Sequence, residues 1–353
     1  MKLDKVLITG ITGQDGALLA KYLVNQGKTI FGTFRKTSSG NFWRLEKLGL
    51  IGAINLVEYQ IGQGQELMEV VQENKFEQIY HLAGDSLTSD SLIHPYQTMN
   101  TNIQGLLEVL ESVKKSSKDS KVFVASSSEI FDNTNLSKAN GYLVQEDNKK
   151  APINPYGVSS MSNMALIEVY RKQFGLKISC GILFNHESAY RGEAFISKKI
   201  TKGLSKIKFS SGPALSIGAF GSSRDWGSAE DYVRAMNLML ELELFDDYIL
   251  ATGKLHTVRE ILEIASETFG FKTIFEGSGM SEALIDVNSG KVLAKIDEKF
   301  LRKFDNSFIA GDSSKFKKLS GWQNEVNFQK LISEMAHYEI NQILSSFRKE
   351  IVR

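Results

Sequence analysis

Two hydrophobic periods alternate along this chain. Lys5-Val-Leu-Ile-Thr-Gly10 is a β-branched run that stops at a glycine, and residues 16–26 then carry Leu18, Leu19, Tyr22 and Leu23 at helical spacing. That reads as strand, turn, helix. The order repeats: residues 29–34 predict a strand, 55–59 a strand, 66–74 a helix, 78–83 a strand, and a helix runs through 106–113. Residues 121–125 and 177–184 predict further buried strands around a long helix over 156–174, and 247–252 a last strand. Such alternation predicts an α/β fold, a doubly wound parallel sheet with helices on both faces.

Regularity falls and glycine content rises over residues 206–227, so the smaller domain is expected there and in the C-terminal third. The expected division is 1–184 plus about 225–255 for the sheet domain, and 185–224 plus 256–353 for the smaller, C-terminal substrate-binding one. Thr257 and Glu260 have capping-box spacing and predict a helix start.

Composition narrows the possible functions. At 353 residues, 42% hydrophobic and 24% charged, the chain can bury a sizeable core. Lys plus Arg (42) nearly cancel Asp plus Glu (41), so no overall field attracts nucleic acid or an anionic membrane, and any anion needs a local site. The lone cysteine, Cys180, precludes an internal disulfide. Five scattered histidines suggest no metal site. No apolar stretch approaches about 20 residues and no signal-like segment opens the sequence, so a cytoplasmic, soluble protein is expected.

Gly10-Ile-Thr12-Gly13-Gln14-Asp15-Gly16 spaces its glycines three and three, directly after a predicted strand and at the start of a predicted helix. Such a turn lets backbone N–H groups and a helix N-terminus approach a pyrophosphate, the Rossmann arrangement for a nicotinamide dinucleotide. The alternative is a glycine-rich turn that binds nothing. The second strand ends Thr33-Phe34-Arg35-Lys36 and runs into Thr37-Ser38-Ser39, two cations and three hydroxyls with no acid for a ribose diol. This favours NADP over NAD, against the alternative of a solvated basic turn. Leu82 and Ala83 end the fourth strand, where backbone passes the ribose and nicotinamide; His81 reads as a packed strand residue.

Ser126-Ser127-Ser-Glu129-Ile-Phe131 follows a buried strand, and Asn154-Pro-Tyr156-Gly-Val-Ser-Ser160 opens a long helix. Together they resemble the extended short-chain dehydrogenase/reductase family. Gly181-Ile-Leu-Phe-Asn185-His186-Glu187-Ser188, Arg191-Gly-Glu193-Ala-Phe, Lys199-Ile-Thr-Lys and Ser223-Arg224-Asp225-Trp226-Gly227 narrow the resemblance to the GDP-mannose 4,6-dehydratases, over nearly the whole chain.

The resemblance implies that Tyr156 removes the C4 hydroxyl proton, Ser127 holds the C4 oxygen in place of the family's usual threonine, and Glu129 takes the C5 proton. Water leaves from C6, and the hydride taken by NADP returns there. A free tyrosine titrates near 10, so it needs a neighbouring cation to act as a base near neutrality. The family places a lysine one helical turn after the tyrosine; here that position is Ser160. A serine can hydrogen-bond the ribose but lowers no pKa by charge.

By the same resemblance Asn185, Glu187, Arg191, Glu193, Lys199 and Arg224 surround the GDP-sugar, at the carboxyl end of the sheet where open α/β folds bind ligands. Arg224-Asp225 could otherwise be a surface ion pair, and Lys198 and Lys202 are expected on the solvated side of their helix. Two further departures are Tyr59-Gln-Ile-Gly-Gln63, without the family's adenine-contacting Asp, and Asp85-Ser86-Leu87, where a Gln-Ser-His run usually lies beside the hexose. GDP-mannose is the first substrate expected and GDP-manno-heptose the second. A C4 oxidase, reductase or epimerase, and an impaired protein that binds NADP and GDP-sugar, remain as alternative functions. The resemblance also implies a homodimer or homotetramer, with the 35–44 loop reaching a neighbour's cofactor.

Overall fold

The computed structural model describes residues 4–36, 41–131, 142–301 and 308–351. Its centre is a seven-stranded parallel sheet of β1 (Lys5–Thr9), β2 (Thr29–Phe34), β3 (Asn55–Glu58), β4 (Gln78–His81), β5 (Lys121–Ser127), β6 (Lys177–Leu183) and β7 (Asp247–Leu250). They lie in the order β7-β6-β5-β4-β1-β2-β3, with Val6 opposite Ile30 on one side and Gln78 on the other. The order reverses between β1 and β4, the switch point at which ligands of such sheets sit.

Each strand feeds two cores because successive side chains point to opposite faces. Val6 and Ile8 pack with Leu18, Leu19 and Leu23 of the helix Gln14–Asn25 and Met236 and Met239 of the helix Ala229–Glu241. Leu7, Ile79, Val122 and Val124 pack on the other face with Leu106, Val109 and Leu110 of the helix Pro95–Ser116 and Ile167 of the helix Pro155–Phe174. A fully buried aliphatic side chain contributes about 2 kcal/mol by leaving water, so strands buried on both faces need the unbroken apolar runs seen in the sequence.

A second lobe has its own core, in which Ile200, Leu204, Ile261, Leu262, Leu331 and Ile332 meet. It is built from the helices Ile196–Ser210, Val258–Thr268 and Phe328–Ile351 against a sheet in the order Thr273–Glu276, Ala283–Asp286, Val292–Ile296, Leu215–Ile217. The irregular 206–227 stretch thus holds a helix end and two strands, Leu215–Ile217 and all but the last residue of Ser223–Ser228. Thr257 and Glu260 close a capping box, each satisfying the other's backbone N–H.

Asp225 joins the lobes and is wholly buried. Its carboxylate accepts from the Thr252 N–H (2.9 Å), the Thr252 hydroxyl (2.5 Å), the Gly253 N–H (2.8 Å) and the Gly311 N–H (3.2 Å). Burial pushes its pKa up while these four donors oppose the rise. The surface ion pair considered for Arg224-Asp225 is therefore absent: the two side chains of a strand point to opposite faces, and Asp225 is the inward one.

His81 on β4 is also buried, with Nδ1 3.0 Å from the Thr9 hydroxyl. Burial lowers its pKa from 6.5 to about 4. The folded protein therefore holds a neutral imidazole where the unfolded chain is already protonated. Stability from this site is complete above the unfolded value and is lost as pH falls from about 6.5 towards 4, by at most about 3 kcal/mol. Thermal melts across that window should show a steeper fall in Tm for the wild-type protein than for His81→Gln. Equal slopes would mean that His81 takes up its proton in the folded state.

Candidate active site

The dinucleotide turn is shaped by what cannot fit in it. Gly10 has φ of +75°, and a Cβ there would lie 2.8 Å from the Ala83 Cα; a Cβ on Gly16 would lie 2.7 Å from the Ile11 Cα. The turn between β1 and the helix Gln14–Asn25 is thus pressed against residues 82–83, with Gly13 as a helix N-cap that carries no side chain. The Thr9 hydroxyl fixes the far wall, accepting from the N–H groups of Leu82 and Ala83 at 3.3 Å each. Backbone donors at a bare helix N-terminus suit a pyrophosphate, and the missing Cβ atoms leave room for it.

Arg35 and Lys36 lie exposed at the end of β2, Lys36 being 3.8 Å from Glu58. Thr37, Ser38 and Ser39 lie outside the described residues, as does the middle of the 35–44 loop. At the end of that loop is a group the sequence reading passed over. Arg44 is buried and donates to the Thr12 carbonyl at 3.1 Å and the Tyr190 carbonyl at 2.7 Å, so one guanidinium spans the glycine turn and the second lobe. Burial lowers its pKa, with Arg191 acting in the same direction.

Gln14 and Asp15 turn their side chains towards the second lobe. The Gln14 amide donates to the His186 carbonyl at 3.1 Å and accepts from the Ser188 hydroxyl at 2.9 Å. Asp15 meets His186 Nε2 at 2.9 Å, and the imidazole Nδ1 lies 2.7 Å from the Phe184 carbonyl. Burial opposes the Asp15 charge, but His186 outweighs it and holds the carboxyl at about 2. Burial likewise opposes the imidazolium, and Asp15 overrides it to raise the His186 pKa.

Three catalytic candidates converge. Ser127 ends β5 and Glu129 lies in the 3₁₀ turn Ser128–Ile130, whose N–H at Glu129 donates to the Ser127 hydroxyl at 3.2 Å. Tyr156 is the second residue of the helix Pro155–Phe174, with a proline at the first position as helix starts favour. Burial raises the phenol pKa; the Ser127 hydroxyl lowers it, Glu129 raises it further, and Arg191 lowers it by charge. Ser160 is buried, and its hydroxyl donates back to the Tyr156 carbonyl at 3.1 Å. One turn beyond the phenol, the helix therefore carries a self-satisfied hydroxyl in place of a cation.

The remaining candidates follow the strand Asn185–Glu187, which pairs in parallel with Ser223–Ser228. Asn185 is half-buried. Glu187 is buried, accepts from the Ser197 hydroxyl, and lies 3.2 Å from Arg191 Nε. The Arg191 guanidinium stacks 3.5 Å from the Phe195 ring centre. Glu193 pairs with Lys202, Lys199 donates to the Ser216 carbonyl at 2.7 Å, and Arg224 donates to the Ser223 carbonyl at 2.7 Å. Lys198, expected in solvent, is buried and paired with Glu339, because the helix Phe328–Ile351 covers that face of its own helix.

The ion pair between glycine turn and second lobe has a pH signature. The raised His186 pKa means that its stabilisation is complete below the ordinary value of about 6.5 and is lost as pH climbs through the folded value; that of Asp15 is lost only as pH falls towards about 2. As pH rises from about 6.5 through the raised folded value of His186, the wild-type Tm should fall relative to that of His186→Gln. Parallel melting curves would show that the pair adds nothing to stability in that range.

Comparison with known proteins agrees with this architecture. The family model described as GDP-mannose 4,6 dehydratase matches residues 7–335. A GDP-mannose 4,6-dehydratase of Vibrio cholerae is 33% identical over 353 residues, spanning 94% of this chain and 92% of the relative. Among solved structures, the dTDP-glucose 4,6-dehydratase of Bacillus anthracis in complex with NAD superposes with a TM-score of 0.77 at 18% identity, covering 96% of each chain. RMD from Pseudomonas aeruginosa complexed with NADPH gives 0.72 at 16%, covering 96% of this chain and 99% of that one. With a glycine-turn sheet, a convergent Ser-Glu-Tyr site and a sequence match over most of its length, this chain belongs to the GDP-mannose 4,6-dehydratase family.

Proposed function

We propose that this protein is a hydro-lyase that converts GDP-mannose to its 4-keto-6-deoxy form with a nicotinamide dinucleotide resident in the glycine turn. One observation carries the reading: the Ser127 hydroxyl, which accepts from the Glu129 N–H at 3.2 Å, also favours ionisation of the Tyr156 phenol, so a base for an oxygen-bound proton and a base for a carbon-bound proton gather at the end of one strand. Tyr156 takes the proton of the C4 hydroxyl, with Ser127 on the same oxygen. Glu129 takes the C5 proton, which the neighbouring ketone acidifies, and passes it to the C6 hydroxyl, which departs as water; the proton held by Tyr156 then returns to C5. A nicotinamide dinucleotide held in the glycine turn by residues 10–16 would supply the hydride acceptor for C4 and the hydride donor for C6.

Gly10, Gly13 and Gly16 with Thr12 line the cofactor cradle, and the backbone of Leu82 and Ala83 forms its far side. Exposed Arg35 and Lys36, with no carboxylate between Thr29 and Lys36, favour NADP. Gln14 and Asp15 hold the cradle against the second lobe. Asn185, Glu187, Arg191, Glu193, Lys199 and Arg224 receive the GDP-sugar, Arg191 and Arg224 offering forked donors to phosphate oxygens. Arg191 is also the cation whose charge reaches the Tyr156 phenol, which lessens the need for a lysine at 160.

Exposed Leu92, Ile93, Tyr96 and Val169 on the helices Thr88–Ile93, Pro95–Ser116 and Pro155–Phe174 support a homodimer through those elements. A cytoplasmic location fits the one cysteine, a buried thiol, and no helix among the described residues is long and apolar enough to cross a membrane.

Mass spectrometry of the purified protein with GDP-mannose and NADP should reveal a sugar nucleotide lighter by one water. A 4-keto product that keeps its C6 oxygen would instead make it an oxidase or epimerase, and ligand binding without turnover would make it a binding protein. Ser160→Lys should raise kcat near neutrality by about tenfold for each unit by which the ammonium lowers the phenol pKa, and shift the basic side of the activity onset to lower pH. An unchanged pH profile would mean that the cation already present suffices.

A further inference from the structure

The residue before the catalytic helix does more than begin it. Asn154 is buried and extended, and its side-chain oxygen accepts from the Gly157 N–H at 2.8 Å, an ordinary N-cap. The other end of the same amide donates to Glu129 Oε2 at 2.7 Å. Close packing brings the two segments together: a Cβ on Gly157 would lie 3.0 Å from the Glu129 carbonyl carbon and 2.8 Å from the Pro152 Cβ, so the helix start rests directly on the turn that carries Glu129. Ala151 adds a backbone bond to the Ile130 carbonyl at 2.9 Å.

Capping alone does not require this side chain. Serine, threonine and aspartate cap about as well as asparagine. Among these four, asparagine alone pairs a capping oxygen with an amide donor at the far side of the group; aspartate would bring a second negative charge to Glu129, and serine is too short to reach both partners. The amide also faces a groove of about 450 Å³ otherwise lined by Pro95, Met99, Pro152, Ile153, Pro155 and Val158. Asn154 is itself buried, which limits the competition of water for its charge-assisted hydrogen bond.

We infer that Asn154 is a positioning residue for the dehydration step: by bonding Glu129 Oε2 and capping the helix of Tyr156 with one planar amide, it holds the carbon base and the oxygen base at a fixed separation. The inference rests on the proposed role of Glu129. A carboxylate that must meet a C–H proton gains most from a fixed rotation, because carbon acids form no strong hydrogen bond that would draw the base into line. The Asn154 amide supplies that constraint from the protein side.

Asn154→Ser and Asn154→Asp, both of which keep a capping oxygen, separate this role from a structural one. Each variant should melt near the wild type and bind NADP as tightly, yet lose about 10- to 100-fold in kcat with little change in KM. Oxidation at C4 should then outrun C5 proton removal, so reduced nicotinamide absorbance accumulates in single turnovers, and deuterium from solvent enters C5 more slowly. In Asn154→Asp the added charge should also move the acid limb of the pH profile to higher pH. Wild-type kcat and no accumulation in both variants would overturn the inference, as would a loss explained entirely by lowered Tm. Glu129→Gln is the control: if it turns over normally, the assignment of Glu129 itself fails, whereas an inactive Glu129→Gln beside fully active Asn154 variants sinks the positioning role alone.

Discussion

Everything in the site is referred to one close approach, that of the backbone at Gly10 and Gly16 to the segments beside it. At these two points β1, the following helix and residues 82–83 touch with no side chain between them. The cost is conformational, since glycine surrenders more freedom on folding than any other residue. The return is a bare helix N-terminus at the switch point of the sheet, where backbone dipoles converge. From there Gln14, Asp15 and Arg44 extend polar contacts to residues 186–190, so the segment that begins the second lobe is positioned by the same turn.

The candidate catalytic strip is placed by the same economy of short connections. Ser127 ends a strand, Glu129 occupies one turn of 3₁₀ helix, and Tyr156 opens a helix that docks on that turn through Gly157. The phenol is raised by burial, and the protein answers with neutral and charged neighbours of opposite effect. Ser127 and Arg191 favour the phenolate, while Glu129 and Asp15 disfavour it. In this arrangement the balance lies in the second lobe and the loop after β5 as much as in the helix that carries Tyr156. That is a different distribution of charge from a helix with its own lysine one turn on, since the cation acting on the Tyr156 phenol is Arg191, which follows the strand Asn185–Glu187.

Local chemistry in the sequence stated most of the architecture. Uninterrupted apolar runs identified the sheet strands because both faces are buried, and the 3.6 period identified the helices that cover them; boundaries moved by one to three residues in most elements, as at β4, which ends at His81. Glycine spacing located the turn, Ser160 was evident as a missing cation, and Thr257 with Glu260 announced a helix start, all features contained within a few residues of chain. Lys198 was misjudged because helical spacing gives a side chain's direction but not what lies opposite, here Glu339 from 141 residues away.

The sequence by itself thus determined what depends on short stretches of chain: element type, the succession of strands and helices along the chain, the glycine turn, and the residue types that a proton-transfer site offers. The tertiary structure decided which charges meet. That Asp225 binds two separate backbone segments, that Asp15 finds His186, that Arg44 spans the lobes and that Asn154 grips Glu129 all follow from contacts between residues distant in sequence. The physical reason is range. Propensity and periodicity act over a few residues, whereas burial and charge pairing depend on three-dimensional distance, which takes its value only when the sheet has closed and the second lobe has folded back onto it.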